Sequence, residues 1–129
     1  IPTTTGAARA VGKVLPHLKG KLDGLAMRVP VPDGSIVDLA VRLRQRPTAE
    51  QINAAVRARA EGPLAKVVLY SDEPLVSSDI IGNPHSSIFD ALSTTALGDG
   101  YAKVIAWYDN EWGYSNRVVD LLDRMAALG

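Results

Sequence analysis

The chain has 129 residues, a formal net charge of zero, 47% hydrophobic residues and no cysteine. It therefore has enough apolar surface for the core of one modest globular domain, or part of one. Its neutral charge balance disfavours nucleic acid and anionic membranes as partners, because both bind preferentially to a basic surface. We expect no membrane span and no secretory leader, since no apolar run of about 18 residues occurs, and the absence of cysteine excludes a disulfide scaffold and fits a cytoplasmic protein.

The first predicted element is a helix with an apolar stripe made by Ala7, Ala8, Val11, Val14 and Leu15. Thr5 is predicted as its N-cap and Pro16 as its stop. The free N–H groups and the positive dipole end of a helix start favour an anion, and Gly6 lets a ligand approach the backbone closely. An ordinary N-cap without a ligand is the alternative interpretation of the same residues.

Two strands are predicted next, because apolar residues alternate over residues 22–31 and again over residues 35–43. The sequence Pro32-Asp33-Gly34 between them is typical of a turn, so they are predicted to form an antiparallel hairpin. We expect one face of this hairpin to be buried under helices. The residues of that face are Leu25, Met27, Val29, Val37, Leu39 and Val41. Arg28 lies on the other face, where an arginine is ordinarily solvated or pairs with a carboxylate such as Asp38.

The second half of the chain is predicted to contain a helix, three strands and a C-terminal helix. Thr48 and Gln51 have the spacing of a capping box, and Gly62-Pro63 closes that helix. The strands are predicted over residues 64–70, 86–92 and 101–108, and the last helix over residues 113–127. Most connections are turns or exposed helices, so the sequence predicts an α+β fold with a mixed, mainly antiparallel sheet and helices on one face. An unpaired edge of this sheet would favour association.

The junction between the last strand and the last helix, residues 107–117 (WYDNEWGYSNR), is rich in aromatic and amide side chains. Asn110 and Tyr114 offer an amide and a phenol, which orient polar aromatic ligands through hydrogen bonds. Asn, Asp and Gly are also ordinary turn formers, so a capped turn is the alternative interpretation. His17 and His85 lie in turn sequences, where we expect satisfied or solvated imidazoles.

Three segments of the chain resemble one enzyme family, and together they follow its order over nearly the whole chain. WYDNEWGYSNRVVDL, residues 107–121, resembles the C-terminal signature of phosphorylating glyceraldehyde-3-phosphate dehydrogenases. IPTTTGAARAVGKVLPHLKGKLDGLAMRVPVPDGSIVDL, residues 1–39, is similar to the family's phosphate-binding helix and following strands, and LVSSDIIGNPHSSIFDA, residues 75–91, matches a further segment. The resemblance implies that residues 1–129 are the C-terminal part of a catalytic domain, without the Rossmann domain that binds the dinucleotide.

The resemblance also implies ligand roles for particular residues. The positions matching Thr5 and Gly6 bind inorganic phosphate, and the position matching Arg28 is shared between that phosphate and the phosphate of the substrate. The position matching Asn110 binds the nicotinamide carboxamide, and the one matching Tyr114 lies beside it. The implied cofactor is NAD, with NADP not excluded. No catalytic residue and no metal ligand is expected in this chain.

For the intact enzyme, the resemblance implies a glycolytic reaction in the cytoplasm, catalysed by a homotetramer. Glyceraldehyde 3-phosphate, phosphate and NAD give 1,3-bisphosphoglycerate and NADH. The family's nucleophilic cysteine and its histidine would lie upstream of Ile1, so this chain alone is expected to be inactive. Two alternatives stay open: an erythrose-4-phosphate dehydrogenase, and a non-catalytic structural or oligomerising module.

Overall fold

The computed structural model describes residues 1–129, and the chain forms two compact units, Ile1–Val31 and Pro32–Gly129. The first unit is a small antiparallel ribbon of two strands with a helix between them in the chain. Its elements are β1 (Pro2–Thr4), α1 (Ala7–Val14), a 3₁₀ turn (Pro16–Leu18) and β2 (Leu25–Met27). In the ribbon, Thr3 lies opposite Ala26.

The second unit is built on a four-stranded sheet. Its elements are β3 (Ser35–Arg42), α2 (Ala49–Ala60), β4 (Val68–Ser71), a 3₁₀ turn (Ser77–Ile80), β5 (Ser87–Ala96), β6 (Tyr101–Tyr108) and α3 (Trp112–Ala127). The strand order is β3-β6-β5-β4, with β6 antiparallel to both of its neighbours and β4 parallel to β5. The predicted α+β class with a mixed, mainly antiparallel sheet is confirmed.

The predicted hairpin between residues 22–31 and 35–43 is wrong, because β2 pairs with β1 and β3 pairs with β6. Pro30 and Pro32 have no N–H to donate to a ladder beside the expected turn. Alternating apolar residues define the face of a strand but not its partner. The predicted burial is also wrong, since Leu25, Met27 and Val37 are 62%, 63% and 45% exposed.

Buried apolar side chains lie on both faces of the sheet in the second unit: Phe89, which stacks on Tyr70, is on the face that α2 covers, and Ile88 is on the other face. α2 packs against β4 and β5. The buried apolar side chains are those of Ala60, Ile80, Ile88, Phe89, Ala91 and Ala102. The rings of Phe89 and Tyr70 stack with centroids 5.9 Å apart, and the Arg57 guanidinium lies 4.3 Å from the Tyr70 centroid while pairing with Asp72 at 2.7 Å. Arg57 therefore ties α2 to β4 through cation–π and ionic contacts.

The ends of several elements differ from the prediction. The capping box of α2 is confirmed, since Gln51 N donates to Thr48 Oγ1 and Thr48 N donates to Gln51 Oε1. β4 is shorter than residues 64–70, because Val67 N and Val68 N both donate to Leu64 O in a helical turn. β5 is longer and contains a bulge between Asp90 and Thr95. None of the helices combines the length and the apolarity that crossing a bilayer requires.

Candidate functional site

The turn between β6 and α3 is organised by the carboxylate of Asp109, which is 2% exposed. Asp109 Oδ1 accepts hydrogen bonds from Glu111 N at 3.0 Å and from Trp112 N at 2.7 Å. Asp109 Oδ2 accepts one from Gly82 N at 2.8 Å. The carboxylate thus satisfies free N–H groups at the start of α3 and joins them to the turn at Gly82.

The same hydrogen bonds hold the pKa of Asp109 below its ordinary value. The Trp112 N–H is the largest cause of the lowered pKa and the Gly82 N–H is the next, while burial acts in the opposite direction and the Glu111 N–H adds a smaller lowering. Donors that point at a carboxylate favour its charged form. Asp109 is therefore ionised at neutral pH, and its negative charge interacts favourably with the positive end of the α3 dipole.

Because Asp109 caps the junction, Asn110 and Tyr114 are not used as caps. Asn110 is exposed, and its Oδ1 accepts a hydrogen bond of 3.1 Å from Ser35 Oγ. Its Nδ2 group has no partner within the chain, and the phenol of Tyr114, which is 71% exposed, makes no hydrogen bond either. The turn is capped and also leaves an amide and a phenol facing solvent around the first turn of α3.

The first turn of α3 lies close to residues 84–86, an irregular segment that leads into β5. Gly113 is buried, and a Cβ placed there would be 3.0 Å from His85 O. The imidazole of His85 is half-buried, with Nδ1 2.9 Å from Asn83 Oδ1. This is the satisfied histidine expected from the sequence. On the next turn of α3, Arg117 donates to Lys66 O at 2.8 Å.

The start of α1 differs from the prediction by one residue, because the N-cap is Gly6 rather than Thr5. Thr5 Oγ1 instead accepts a hydrogen bond from Ala7 N at 3.2 Å, a local turn that places Thr5 before the helix. The Thr5 hydroxyl keeps its proton for another acceptor. A Cβ on Gly6 would meet nothing within 4 Å, so the backbone there is open to approach.

Arg28 follows β2 and has an exposed side chain without an ion pair in the chain. Asp38, the carboxylate suggested by the sequence, pairs with Lys103 at 2.8 Å. Arg28 N donates to Ile1 O, which places Arg28 four residues along the ribbon from Thr5, or about 13 Å. Arg28 and Thr5 therefore do not lie side by side. Arg28 shares its face of the ribbon with Ile1 and Thr3, since directly paired residues point the same way.

Sequence reasoning missed two residues of the junction, Asp109 and Ser35. Asp109 had a detectable signal, because it precedes Trp112 by three residues, the usual distance from a capping side chain to the N–H it accepts. Ser35 had no local signal. It reaches Asn110 only because β3 pairs with β6, and the two residues are 75 apart in the sequence.

Comparison with known proteins places the chain in a family. The profile described as "Glyceraldehyde 3-phosphate dehydrogenase, C-terminal domain" matches residues 1–110, so the match includes Asn110 and ends before Tyr114. The glyceraldehyde-3-phosphate dehydrogenase of Mycolicibacterium smegmatis is 58% identical over 122 residues, which cover 95% of this chain and 36% of that protein. That of Mycobacterium tuberculosis (strain ATCC 25618 / H37Rv) is 59% identical over 122 residues, which cover 95% of this chain and 36% of that protein.

A plant relative has a similar identity to this chain over a similar length. The cytosolic glyceraldehyde-3-phosphate dehydrogenase of Pinus sylvestris is 57% identical over 127 residues, which cover 98% of this chain and 37% of that protein. The chain spans little more than a third of the length of these relatives. Since the family profile matches residues 1–110 of 129, the chain belongs to the glyceraldehyde 3-phosphate dehydrogenase family, in the region of its C-terminal domain.

Proposed function

We propose that residues 1–129 act as the C-terminal part of the catalytic domain of a phosphorylating glyceraldehyde-3-phosphate dehydrogenase. The enzyme would be a cytoplasmic homotetramer that converts glyceraldehyde 3-phosphate, phosphate and NAD to 1,3-bisphosphoglycerate and NADH, with NADP not excluded as the cofactor. The observation that carries the proposal is the exposed amide of Asn110, which lies at the end of the family match and is not needed to hold its own turn.

The side chains at the α3 junction fit a nicotinamide ring. A carboxamide offers one carbonyl acceptor and two N–H donors, and the amide of Asn110 has the complementary groups free: both Nδ2 hydrogens and the second lone pair of Oδ1. The exposed phenol of Tyr114 adds an aromatic surface and a hydroxyl beside it. When bound, NAD supplies the hydride acceptor. Asn110 and Tyr114 bind and orient the ring.

The residues of the first unit fit phosphate. Thr5 offers a hydroxyl proton, and the open backbone at Gly6 leads into the amino end of α1, where N–H groups favour an anion. The guanidinium of Arg28 is permanently charged and free to make paired hydrogen bonds to two phosphate oxygens. The separation of about 13 Å along the ribbon suits ligands lying between Thr5 and Arg28 rather than one phosphate in contact with both backbones.

These roles are positioning roles. Positioning accounts for several kcal/mol of a barrier in general, but it supplies no nucleophile, and this chain contains no cysteine. We therefore propose that the 129 residues alone form no NADH. The purified chain, verified by mass, is incubated with NAD, phosphate and glyceraldehyde 3-phosphate. The control is the protein expressed from its complete reading frame, with its cysteines alkylated. NADH formation by the chain above that of the control would contradict this proposal.

The test of the proposed function is the substrate preference of the protein expressed from its complete reading frame. NADH formation is followed with phosphate and either glyceraldehyde 3-phosphate or erythrose 4-phosphate. We expect a higher kcat/KM for the triose, the substrate in the names of the relatives. A preference for the tetrose would favour an erythrose-4-phosphate dehydrogenase instead, and no turnover of either by the folded protein would favour the non-catalytic module.

A further inference from the structure

Ser35 is the first residue of β3, and the sheet fixes its position. It lies opposite Tyr108 in the antiparallel pairing of β3 with β6. The residue before it, Gly34, has a φ of +91°, and a Cβ at Gly34 would be 2.9 Å from Ile80 Cδ1, so this bend is restricted to glycine. The half-buried Ser35 hydroxyl donates to the Oδ1 of Asn110 at 3.1 Å.

We propose that Ser35 is a positioning residue that sets the rotation of the Asn110 amide for a bound carboxamide, an inference that rests on the proposed function. The terminal torsion of an asparagine is broad and has nearly equivalent states a half-turn apart. An exposed amide therefore samples orientations in which its donors and acceptor are exchanged. The Ser35 hydroxyl can donate to Oδ1, as here, or accept from Nδ2 after a half-turn, so it restricts the amide to these two orientations.

Asp109 and Ser35 hold different parts of Asn110. Asp109 fixes the backbone of the turn through its bonds to Glu111 N, Trp112 N and Gly82 N. Ser35 fixes the side chain from a different strand. The amide is thus oriented before a ligand arrives, which lowers the entropy lost on binding.

A double-mutant cycle on NAD binding tests this role. The dissociation constant of NAD is measured by calorimetry for the protein expressed from its complete reading frame, as wild type, Ser35→Ala, Asn110→Ala and the double variant. We expect Ser35→Ala to weaken NAD binding about three- to tenfold, the usual effect of one hydrogen bond, and to have an effect below about 1.5-fold when Asn110 is already alanine. Ser35→Thr keeps the hydroxyl and should restore wild-type binding.

The control and the ligand analogue separate positioning from general damage. Ser71 also lies at a strand end, where its hydroxyl accepts only from Glu73 N, and Ser71→Ala should leave NAD binding unchanged. The NAD analogue with an unsubstituted pyridine ring offers no group to the Asn110 amide, so Ser35→Ala should weaken its binding less than that of NAD. Equal losses for both cofactors, or a Ser35→Ala effect that persists unchanged in the Asn110→Ala background, would overturn the positioning role alone. A wild-type protein that binds no NAD would overturn the positioning role and the proposed function together.

Discussion

Asp109 is the single residue on which the geometry of the α3 junction depends most. Its carboxylate accepts three backbone hydrogen bonds while it is 2% exposed. Asp109→Asn would turn an amide NH₂ toward N–H donors and remove the charge, and we expect a loss of about 2 to 4 kcal/mol of stability. Urea unfolding of the complete protein measures the loss. Asp123→Asn, on the exposed part of α3, should change stability by less than about 0.5 kcal/mol.

The lowered pKa of Asp109 gives its contribution a defined pH dependence. A carboxylate whose pKa is lower in the folded state stabilises the protein above its unfolded pKa, about 3.9, and loses that contribution as the pH falls through the folded pKa. The stability difference between wild type and Asp109→Asn should be constant from about pH 7 to pH 5 and shrink below about pH 4. A difference that grows on acidification would contradict this assignment.

Arg28 is the residue of the first unit with the clearest expected effect on substrate. In the complete protein, Arg28→Ala would remove a charge-assisted contact, at a cost of about 2 to 4 kcal/mol in kcat/KM, chiefly for phosphorylated substrates. The measurement compares glyceraldehyde 3-phosphate with glyceraldehyde. Arg44→Ala is the matched control, since Arg44 is also exposed and makes no ion pair. Equal losses for both substrates would argue against a phosphate contact.

At the scale of elements, α2 shows how a local signal determines a boundary. The reciprocal bonds of Thr48 and Gln51 satisfy two backbone N–H groups at its start. Thr48→Ala should therefore destabilise the protein by about 1 kcal/mol, and Thr48→Ser should restore most of that loss. Thermal unfolding of the two variants measures the effect. Equal unfolding temperatures for wild type and Thr48→Ala would mean that tertiary packing alone maintains α2.

The elements also show why part of the fold was not predictable from the sequence. Periodicity identified β3 and α3, the capping box and the Gly62-Pro63 stop identified α2, and β-branched and aromatic composition identified β6, because all of these signals are local. The partner of β2 was missed, since β1 is only three residues long, too short for an alternating pattern. The burial of β3 was overestimated because alternation distinguishes two faces without showing that a layer covers either one.

The same distinction applies to the candidate site. Asn110 and Tyr114 were identifiable because they lie together in one junction, and both are exposed there. Ser35 was not identifiable, since its contact with Asn110 depends on the register of β3 against β6. Thr5 and Gly6 begin α1 nearly as expected, but the position of Arg28 beside Ile1 depends on a ribbon that the sequence did not predict.

At the scale of the whole molecule, the chain forms two compact units, and the residues proposed for phosphate and for nicotinamide belong to different ones. Thr5, Gly6 and Arg28 lie in the first unit, and Asn110 and Tyr114 lie in the second. Many apolar side chains of α3 are exposed, among them Leu121, Leu122 and Met125. The chain also spans little more than a third of its relatives' length. The role proposed for this chain is therefore the orientation of ligands rather than the chemical step.

Asn110 is proposed to orient the nicotinamide ring, and the stereochemistry of hydride transfer tests this role most directly. The complete protein oxidises glyceraldehyde 3-phosphate carrying deuterium at C1, and proton NMR shows which C4 position of the reduced cofactor received the deuterium. We predict a single C4 epimer for wild type and a mixture of epimers, with a lower kcat, for Asn110→Ala. A single, unchanged epimer formed by Asn110→Ala at the wild-type kcat would contradict this role of Asn110.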